Sequence, residues 1–400
     1  MTAAADAFDI AICGAGPVGL ALAALLARRG MAPARICLLD GRTIDDARRD
    51  PRSIALSYGS RQILEQIGAW PLAATSIEQI HVSRRGHFGR TLIDCSDYDL
   101  PALGYVARYG NLVDKLAATC SAAGITSLRP ATVAVLTQDA QQVRLRLADG
   151  RVVEAGIMVQ AEGGLFGEQA QRSHSRDYGQ TAIVAQVTAS APLMQRAFER
   201  FTDEGPLALL PQGEDGTMTA MAMPSTAPGT TPATNYALVW CMRPATATQM
   251  LALADAEFLA RLEHAFGERL GRLTRITPRS SFTLGLNAEP AATARTVAIG
   301  NAAQTLHPVA GQGLNLGLRD ATVLARLLSE DASPAMLQQF VSQRQADRRA
   351  TIGLTDLMAR IFAAVPGSPL QGLLGLSLGL VDAVPPAKRL LAEQMMFGRR

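Results

Sequence analysis

The chain has 400 residues, 48% of them hydrophobic, and a formal net charge of +3. This length accommodates one large domain or two interleaved domains, and the hydrophobic content is ample for a substantial core. The charge excess is too small to indicate a nucleic-acid partner, so none is predicted.

Five cysteines are scattered along the chain, and no two of them form a CxxC pair: Cys13, Cys37, Cys95, Cys120 and Cys241. This arrangement predicts no metal site and no disulfide framework. We interpret the cysteines as reduced, mostly buried thiols of a cytoplasmic protein. Residues 1–7 lack a basic segment followed by an apolar run, so no export signal is expected.

The N-terminal segment has the pattern of a strand–turn–helix–strand unit. Phe8 to Cys13 is a short apolar run typical of a buried parallel strand, and Val18 to Arg29 is an Ala/Leu-rich helical stretch. Ile36 to Leu39 predicts the second strand, which ends at Asp40. The whole unit has the length expected of a βαβ element.

Downstream of this unit, hydrophobic periodicity and turn signals predict the remaining elements. Helices are predicted at 53–67, 111–123, 255–266 and from about 313 to 328. Strands are predicted at 77–82, 90–93, 132–136, 143–147, 152–161, 178–189, 207–211, 217–223, 236–242 and 297–299, with an exposed loop at 225–234. The strands from 178 onwards suit a second, mostly β region inserted between parts of the first.

The first motif with chemical content is Gly14-x-Gly16-x-x-Gly19, with Ala15, Pro17 and Val18 at the intervening positions. Its place between a strand and a helix is the context in which such a motif binds a dinucleotide, because the helix N-terminus offers free amides to a pyrophosphate. Asp40 can accept hydrogen bonds from both ribose hydroxyls and would repel a 2′-phosphate. The unit therefore predicts FAD or NAD as the bound cofactor, with NADP excluded.

A second glycine-rich run, Gly300 to Gly317, precedes and opens the helix predicted from 313. Reduced flavin carries negative charge at N1 and O2, which amides at a helix N-terminus could stabilise. The predicted cofactor contacts in this run are Asn301, Gly311, Gln312, Gly313, Leu314 and Asn315, with Asn301 directed to the ribityl chain. His307 and Pro308 are the candidate catalytic residues, although a histidine before proline also suits a purely structural role. Together the two motifs favour FAD and a cofactor site assembled from both ends of the chain.

These paired motifs resemble those of the single-component FAD aromatic hydroxylases, the group that contains para-hydroxybenzoate hydroxylase. Asp50 to Ser57, Gly300 to Gly317 and Arg344 to Gly353 are similar to the ubiquinone-biosynthesis branch of that family. Arg196 to Thr202 and Gly205 to Pro211 are most similar to its 2-octaprenyl-6-methoxyphenol hydroxylases. The resemblance covers about residues 8–361.

The resemblance implies an α/β (α+β) fold in which a Rossmann-type FAD-binding domain is interleaved with an antiparallel-sheet substrate domain, as in para-hydroxybenzoate hydroxylase. The expected FAD-binding domain comprises 1–80, 105–177 and 288–350. The expected substrate domain comprises 81–104 and 178–287, and 351–400 is expected to be a helical tail.

Further cofactor contacts are implied by the resemblance. Arg52 is expected near the flavin or its phosphates and Arg108 near the flavin side chain. The family usually carries an Asp-Gly motif, linked to FAD and NADPH binding, where this chain has Glu162-Gly163. Glutamate keeps the negative charge of aspartate but has one more methylene group. This difference from the family motif therefore concerns how the protein binds the pyridine nucleotide. Many relatives also have Gly-Asp where this chain has Gly300-Asn301, although the ubiquinone branch carries asparagine too.

By resemblance, the predicted function is hydroxylation of the aromatic ring of a polyprenylated phenol, 2-polyprenyl-6-methoxyphenol, in ubiquinone biosynthesis. NAD(P)H would reduce bound FAD transiently, and O2 would react through a flavin C4a-hydroperoxide. The sequence has no second dinucleotide fingerprint, which fits an NAD(P)H that visits and leaves. Two alternatives stay open: an FAD hydroxylase of another aromatic substrate, and a weakly active structural subunit of a quinone-biosynthesis complex.

The C-terminal tail has an uncharged stretch from Ile361 to Val381, followed by Lys388, Arg389, Arg399 and Arg400. Apolar surface beside basic residues suits peripheral contact of 361–400 with the inner face of the cytoplasmic membrane, or with subunits of a quinone-biosynthesis complex. Packing on the protein's own core or in an oligomer interface is the main alternative. Pro366, Pro369 and several glycines disfavour a spanning helix.

Overall fold

The apolar runs near the N-terminus form the centre of a seven-stranded sheet in the computed structural model, which describes residues 6–85, 90–162, 176–213, 234–286, 292–304, 311–363 and 385–398. The strand order is β8 (Thr126–Leu128), β2 (Ile36–Leu39), β1 (Asp6–Cys13), β11 (Val152–Gln160), β10 (Val143–Leu147) and β9 (Val133–Gln138), and β18 (Thr296–Ala298) also pairs with β11. Strands β8, β2, β1, β11 and β18 are parallel to their neighbours in this group. The C-terminal ends of β1, β2 and β11 therefore meet at one edge, where open α/β sheets bind ligands.

Three helices pack together on this sheet. They are α1 (Pro17–Arg28), α4 (Tyr109–Ala122) and α7 (Gln312–Glu330). Helix α1 contacts both of the others, and its leucines and alanines are buried in the same core cluster as the apolar residues of α4 and α7. The helix that begins in the second glycine-rich run thus lies directly against the helix that begins in the first.

A second, eight-stranded sheet is antiparallel except for one parallel pair. Its order is β16 (Leu273–Ile276), β12 (Arg176–Ala189), β15 (Thr234–Met242), β14 (Pro206–Gln212), β13 (Arg196–Phe201), β5 (Gln79–Arg84) and β6 (Arg90–Asp94), and β17 (Ser280–Leu286) also pairs with β12. The helices α5 (Pro244–Ala252) and α6 (Asp255–Phe266) cover one face. Large side chains such as Phe198, Tyr236 and Trp240 fill that interface.

The other face of the second sheet meets a small third sheet, in the order β3 (Ser53–Ser57), β7 (Gly104–Arg108) and β4 (Ala74–Ile77). Ile77 and Val106 of the third sheet are buried with Ala197 of β13. The third sheet therefore joins the antiparallel sheet to the Rossmann-type part, and the predicted interleaved α/β architecture is present.

The helix predicted at 53–67 is wrong in its first third. Residues 53–57 form β3, which pairs along its whole length with β7, and only Tyr58–Gln66 form a helix, α3. Ser57 ends the strand and caps the helix by accepting a hydrogen bond from the amide of Ser60. The pairing with β7 is a long-range effect that a helical pattern of apolar residues does not reveal.

Several elements have no counterpart in the sequence predictions. These are the strands β4, β7, β8, β13, β16 and β17 and the helices α2 (Ile44–Arg48) and α5. Helix α8 (Pro334–Ala363) has a counterpart only from residue 351, in the expected helical tail. By contrast, α6 begins and ends where the periodicity places it. The strand predicted at 217–223 lies outside the described residues, as does all but the last residue of the loop predicted at 225–234.

The C-terminal segment includes α9 (Pro385–Phe397), which packs on the protein itself. Ala392 and Met396 are buried against Ile93 and Leu103, between the second and third sheets. Within the described ranges, no helix combines the length and the apolar character needed to cross a bilayer. Residues 364–381 of the uncharged stretch lie outside the described part.

Candidate functional site

The loop after β1 has the backbone geometry of a dinucleotide-binding turn. Gly14 adopts a φ of +104°, which L side chains rarely adopt, and its amide donates to the carbonyl of Leu39 over 2.7 Å. A Cβ atom on Gly19 would lie 1.9 Å from the carbonyl oxygen of Gly14. Helix α1 can begin directly against this loop because neither glycine has a side chain.

The N-terminus of α1 presents backbone amides that no side chain caps. Gly16 is the N-cap residue, Pro17 is the first helical residue, and the first turn holds no acidic residue. Uncapped N–H groups and the positive end of the helix dipole favour a phosphate group. The side chain of Val18 points away from this opening, towards Gly300 and Gly317.

Asp40 follows β2 and lies beside this loop. Its Oδ2 accepts a hydrogen bond from the amide of Ala15 at 2.9 Å, and its Oδ1 accepts one from the amide of Arg42 at 2.8 Å. The carboxylate is 8% exposed, and its Oδ1 keeps a further lone pair for a ligand. Asp40, which is predicted to bind the ribose, is therefore held in a fixed orientation against the glycine loop.

Arg129 is a site residue that the sequence analysis missed. It follows β8 at the ligand-binding edge of the first sheet, where its Nη2 donates to the carbonyl of Ala15 and lies 3.4 Å from Asp40 Oδ2. Burial lowers the pKa of its guanidinium, while the charge of Asp40 opposes that shift. Nη1 is buried and has no acceptor among the described residues. Its position after a short strand at this edge is the signal that could have identified it.

Tyr109 lies between Arg52 and the glycine loop. Its guanidinium is 4.8 Å from the centre of the Tyr109 ring, and the hydroxyl of Tyr109 would be 3.1 Å from a Cβ on Gly16. Asp50 orients the guanidinium with two hydrogen bonds, at 2.9 Å to Nε and 2.7 Å to Nη2. Burial alone would raise the pKa of Asp50, but the bonds from Arg52 outweigh it and lower that pKa.

Arg108 ends β7 and pairs with Ser53, the residue after Arg52. It is also the N-cap residue of α4, which it does not cap with its side chain. Its Nε is buried and has no hydrogen-bond acceptor in the described part of the chain. A buried guanidinium nitrogen without an acceptor is costly, so an acceptor outside the polypeptide is expected there.

The second glycine-rich run meets the first at the start of α7. Gly311 is the N-cap residue with a φ of +59°, and neither a side-chain cap nor an acidic residue occupies the first turn. A Cβ on Gly313 would lie 3.6 Å from Oδ1 of Asn301, which is exposed at the end of β18. The structure thus brings Asn301, Gly311 and Gly313 together, with the amides of the first turn uncapped by side chains.

The other predicted cofactor contacts in this run, which are Gln312, Leu314 and Asn315, differ in the contacts that their side chains make with the protein. The side chain of Asn315 is 2% exposed and bonds only to the protein, so it has no donor or acceptor left for a cofactor. The side-chain amide of Gln312 donates to the carbonyl of Met395 at 3.3 Å. Leu314 packs on the core of the first sheet. For Asn315, only the backbone is available for the predicted contact.

Glu162 follows β11 and lies next to the glycine loop. Its amide nitrogen would be 2.5 Å from a Cβ on Gly14, and its side chain is exposed. Gly163, the partner of Glu162 in the predicted motif, lies outside the described residues. The candidate catalytic residues His307 and Pro308 also lie outside them.

Taken together, these residues fit FAD. Two uncapped helix N-termini, at α1 and α7, suit the pyrophosphate and an anionic flavin ring, and Asp40 suits the ribose. Nε of Arg108 and Nη1 of Arg129 supply donors that none of the described residues accepts. Among the described residues, no group of three or more His, Cys, Asp or Glu is arranged to hold a metal ion.

Gln212, the last residue of β14, is a second polar residue that the sequence analysis missed. Its Oε1 accepts a hydrogen bond from Ser53 at 2.7 Å, its side chain is 2% exposed, and its Nε2 has no acceptor in the described part of the chain. It lies where the antiparallel sheet meets the strand that follows Arg52. A glutamine at the end of an apolar strand run is the only sequence signal for it.

The chain matches the family model described as an FAD binding domain over residues 7–354. It is 31% identical to the uncharacterized protein slr1300 of Synechocystis sp., covering 98% of this chain and 94% of the relative. It is 30% identical to the ubiquinone hydroxylase UbiL of Rhodospirillum rubrum, covering 97% of this chain and 89% of the relative.

Two solved structures share the fold. PqsL of Pseudomonas aeruginosa, a probable FAD-dependent monooxygenase, is 18% identical with a TM-score of 0.69, covering 96% of this chain and all of that chain. The p-nitrophenol 4-monooxygenase PnpA of Pseudomonas putida is 16% identical with a TM-score of 0.71, covering 99% of this chain and all of that chain. From the family match and the sequence relatives, the chain belongs to the family of FAD-dependent monooxygenases that contains the ubiquinone hydroxylases.

Proposed function

We propose that the protein hydroxylates the aromatic ring of a polyprenylated phenol in ubiquinone biosynthesis, with FAD bound and with NAD(P)H and O2 as co-substrates. The observation that carries the proposal is the apolar face that the antiparallel sheet turns towards the third sheet. That face packs on the sheet in which β7 ends with Arg108 and β3 begins just after Arg52. Apolar walls with few polar groups suit an aromatic ring with a hydrocarbon chain.

FAD, when bound, supplies the redox chemistry with NAD(P)H and O2. In this proposal the amides of Gly16, Val18 and Gly19 bind the pyrophosphate, and Asp40 binds the ribose. Arg108 donates from its unpartnered Nε to the flavin side chain, and Arg52 lies near the phosphates. The first-turn amides of α7 stabilise negative charge on the reduced ring, and Asn301 bonds the ribityl chain.

The sheet interface would also exclude water from the reacting ring. Ile77, Val106, Ala197 and Leu210 form a continuous apolar contact between the third and second sheets. A dry pocket limits the wasteful release of hydrogen peroxide and holds the substrate ring in one orientation. The 30% identical relative, which is a ubiquinone hydroxylase, further supports a quinone precursor as the substrate.

For the C-terminal segment we propose a limited role in membrane contact. The described helix α9 is occupied by packing on the protein's own core, and Gln312 holds its Met395 carbonyl. Peripheral contact with a membrane, or with subunits of a quinone-biosynthesis complex, is therefore assigned to 364–384. Binding to anionic vesicles of the full chain and of a chain lacking 364–384 tests this assignment.

The function is tested with purified FAD-loaded protein, NADH or NADPH, isotope-labelled O2 and two phenols. One is 2-farnesyl-6-methoxyphenol, a soluble short-chain analogue of the proposed substrate, and the other is 4-hydroxybenzoate. We expect label in the ring of the farnesylated product and NAD(P)H oxidation that this phenol stimulates.

Each alternative outcome points to a different function. Faster hydroxylation of 4-hydroxybenzoate would replace the polyprenyl substrate with a soluble aromatic one. A protein that binds FAD but hydroxylates neither phenol would contradict the enzyme proposal and favour a structural subunit. The ring position of the label identifies the carbon that is hydroxylated.

A further inference from the structure

Arg129 connects the end of β8 to the glycine loop after β1. Strand β8 is parallel to β2, and their pairing continues past both strand ends. The amide of Asp40 donates to the carbonyl of Leu128 at 3.2 Å, and the amide of Ala131 donates to the carbonyl of Asp40 at 2.7 Å. Arg129 therefore lies beside Asp40 at the edge of the first sheet where open α/β sheets bind ligands. Its side chain is only 9% exposed.

The contacts of this guanidinium with the described residues all go to the glycine loop and Asp40. Nη2 donates to the carbonyl of Ala15 and lies 3.4 Å from Oδ2 of Asp40. The amide of Ala15 donates to the same Oδ2 at 2.9 Å, so both backbone groups of Ala15 are held. Asp40 is also held by the amide of Arg42, at 2.8 Å. The group whose orientation depends on Arg129 is therefore the carbonyl of Ala15.

The carbonyl of Ala15 and the N–H of Gly16 belong to the same peptide group. Because a trans peptide is planar, its C=O and N–H point in opposite directions. A carbonyl fixed towards Arg129 therefore fixes the N–H of Gly16 in the direction away from Arg129. Gly16 is the N-cap residue of α1, and the uncapped amides at this helix start suit a pyrophosphate. Glycine restricts its own backbone little, so an outside contact has to hold this peptide.

The guanidinium also balances the charge beside the loop. Asp40 is a buried carboxylate next to the place where a pyrophosphate binds, and charges of the same sign repel each other more strongly away from water. Arg42 lies farther from the carboxylate, at 4.0 Å, and its side chain is 42% exposed, so its charge is better screened. Arg129 is therefore the main cation that offsets the charge of Asp40.

We infer that Arg129 is a positioning residue of the cofactor site. It holds the carbonyl of Ala15 so that the amide of Gly16 points at the pyrophosphate of FAD, and it offsets the charge of Asp40 beside that pyrophosphate. Arg129 acts on the cofactor through these neighbours. The inference rests on FAD binding and does not depend on which phenol is hydroxylated.

The test measures the affinity of FAD-free wild type and Arg129→Met for FAD, and for ADP and adenosine as competitors. ADP carries a pyrophosphate, whereas adenosine carries only the base and the ribose. Methionine fills a similar volume without a charge or a donor. We expect the Kd for FAD and for ADP to rise about 10- to 100-fold, the value of a hydrogen bond to a charged group. The Kd for adenosine should stay at the wild-type value, because Asp40 keeps its bonds from two backbone amides.

Three further variants and a spectroscopic measurement complete the test. Arg129→Lys keeps a positive charge and a donor, so it should recover most of the affinity for FAD. Arg129→Ala repeats the comparison with a second side chain that cannot donate. Arg151→Met removes an exposed arginine that pairs with Asp149 between β10 and β11, and it should match wild type. Phosphorus NMR of bound FAD reports on the pyrophosphate directly, and its signals should shift in Arg129→Met but not in Arg151→Met. Circular dichroism and melting temperatures show that each variant folds.

The outcomes also separate this inference from the proposed function. Equal losses of affinity for ADP and adenosine would overturn the inference, because Arg129 would then act on the ribose or on the fold as a whole. An unchanged Kd for FAD together with unchanged phosphorus signals would overturn it too. If wild type binds FAD but hydroxylates no phenol, the proposed function fails, whereas the role of Arg129 is still decided by the affinities.

Discussion

At the scale of single residues, Arg108 is the clearest sign of a missing partner. Its guanidinium is placed by the pairing of β7 with β3, yet its Nε has no acceptor in the described part of the protein. An unsatisfied buried donor of this kind, as Arg108 Nε is among the described residues, costs about 1–3 kcal/mol. Binding of FAD would relieve that cost.

Replacing Arg108 with Met is expected to separate stability from cofactor affinity. Methionine fills a similar volume without a donor, so the FAD-free protein should melt at the same temperature or higher. The Kd for FAD should rise about 10-fold, since one hydrogen bond to a charged group is worth about 1.5–3 kcal/mol. Flavin fluorescence titration of the FAD-free protein measures the affinity. Arg146→Met, an exposed arginine on β10, serves as the control and should change neither quantity.

Glu199 makes a second residue-scale prediction, on stability. Its pKa of about 7 in the folded protein lies above the 4.5 of an ordinary glutamate. The folded state therefore holds this proton more tightly than the unfolded state does. The charged carboxylate therefore lowers the free energy of unfolding. This loss of stability is absent below about pH 4.5, grows as the pH rises from about 4.5 to about 7, and is complete above about pH 7.

Glu199→Gln removes that penalty, so its unfolding free energy should exceed that of wild type by about 1–3 kcal/mol at pH 8. The difference should shrink towards pH 5. Urea unfolding of FAD-loaded protein at these two pH values measures it. A difference that is the same at both values would show that Glu199 titrates normally.

Spacing alone predicts which candidate site residues meet only within one local unit. Gly14, Gly19 and Asp40 lie within one βαβ unit, so their spacing predicts their meeting. Arg129 and Gln212 come to the site through strands that pair far along the chain. Their positions follow from strand pairing, which a single sequence does not reveal.

At the scale of elements, the junction between β3 and α7 determines where the second helix N-terminus lies. Asn315 connects the two elements with every hydrogen-bonding group of its side chain. Its Oδ1 accepts from the amide of Ser57 at 2.8 Å and the hydroxyl of Ser60 at 2.7 Å. Its Nδ2 donates to the carbonyls of Ala55 at 3.1 Å and Gly311 at 2.8 Å. The residue predicted as a cofactor contact thus positions the helix start.

Asn315→Leu is expected to lower the unfolding free energy by about 2–4 kcal/mol, because buried donors and acceptors on β3 and at the start of α7 lose their partner. The Kd for FAD should also rise, since the amides of the first turn are no longer held in place. Thr322→Val, further along α7, removes one hydrogen bond within the helix and is the matched control. If both variants unfold at the same urea concentration, the junction does not position the helix.

Elements with strong local signals were predicted well, and those defined by pairing were not. Helix α6 begins at Asp255 and ends before Gly267, and both ends carry recognisable signals. The segment from Ser53 to Ser57 also suits a helix, and its pairing with Gly104 to Arg108 decides the outcome. The overall α/β architecture was nevertheless predictable, because the first strands are continuous apolar runs.

At the scale of the whole molecule, a buried ion network connects the flavin-side helix to the C-terminal helices. Asp320 of α7 bonds Arg344 and Arg348 of α8, at 2.7 Å and 3.0 Å. Asp347 of α8 bonds Arg344 and also Arg319 of α7. The run that carried part of the family resemblance, Arg344 to Gly353, therefore supplies charges for this network.

The network also reaches the second glycine-rich run and the tail. Gln304, just after β18, donates to Asp320 at 3.1 Å, and Gln394 of α9 lies 3.5 Å from Asp347. Asp320 and Asp347 are 0% and 2% exposed, so the pairs are desolvated. Removing one partner of a buried pair leaves an uncompensated charge, which is strongly destabilising.

Arg344→Met is therefore expected to lower the unfolding free energy by about 3–5 kcal/mol. Methionine retains the apolar stem of arginine, so the loss reflects the bonds to Asp320 and Asp347 rather than a cavity. Arg326→Met is the control, because Arg326 forms an exposed pair with Glu330 on the same face of one helix and should change stability by no more than about 1 kcal/mol. Urea unfolding of FAD-loaded protein compares the two variants.

A second measurement decides whether the network also positions the cofactor helix. If it does, FAD should dissociate faster from Arg344→Met at a urea concentration where both variants are still folded. If Arg344→Met unfolds faster but FAD dissociates at an unchanged rate, the network stabilises the fold without positioning the cofactor helix. In that case α7 keeps its N-terminus in place without Arg344. Equal stability of Arg344→Met and Arg326→Met would instead show that the buried pairs only offset their own desolvation, as buried ion pairs can.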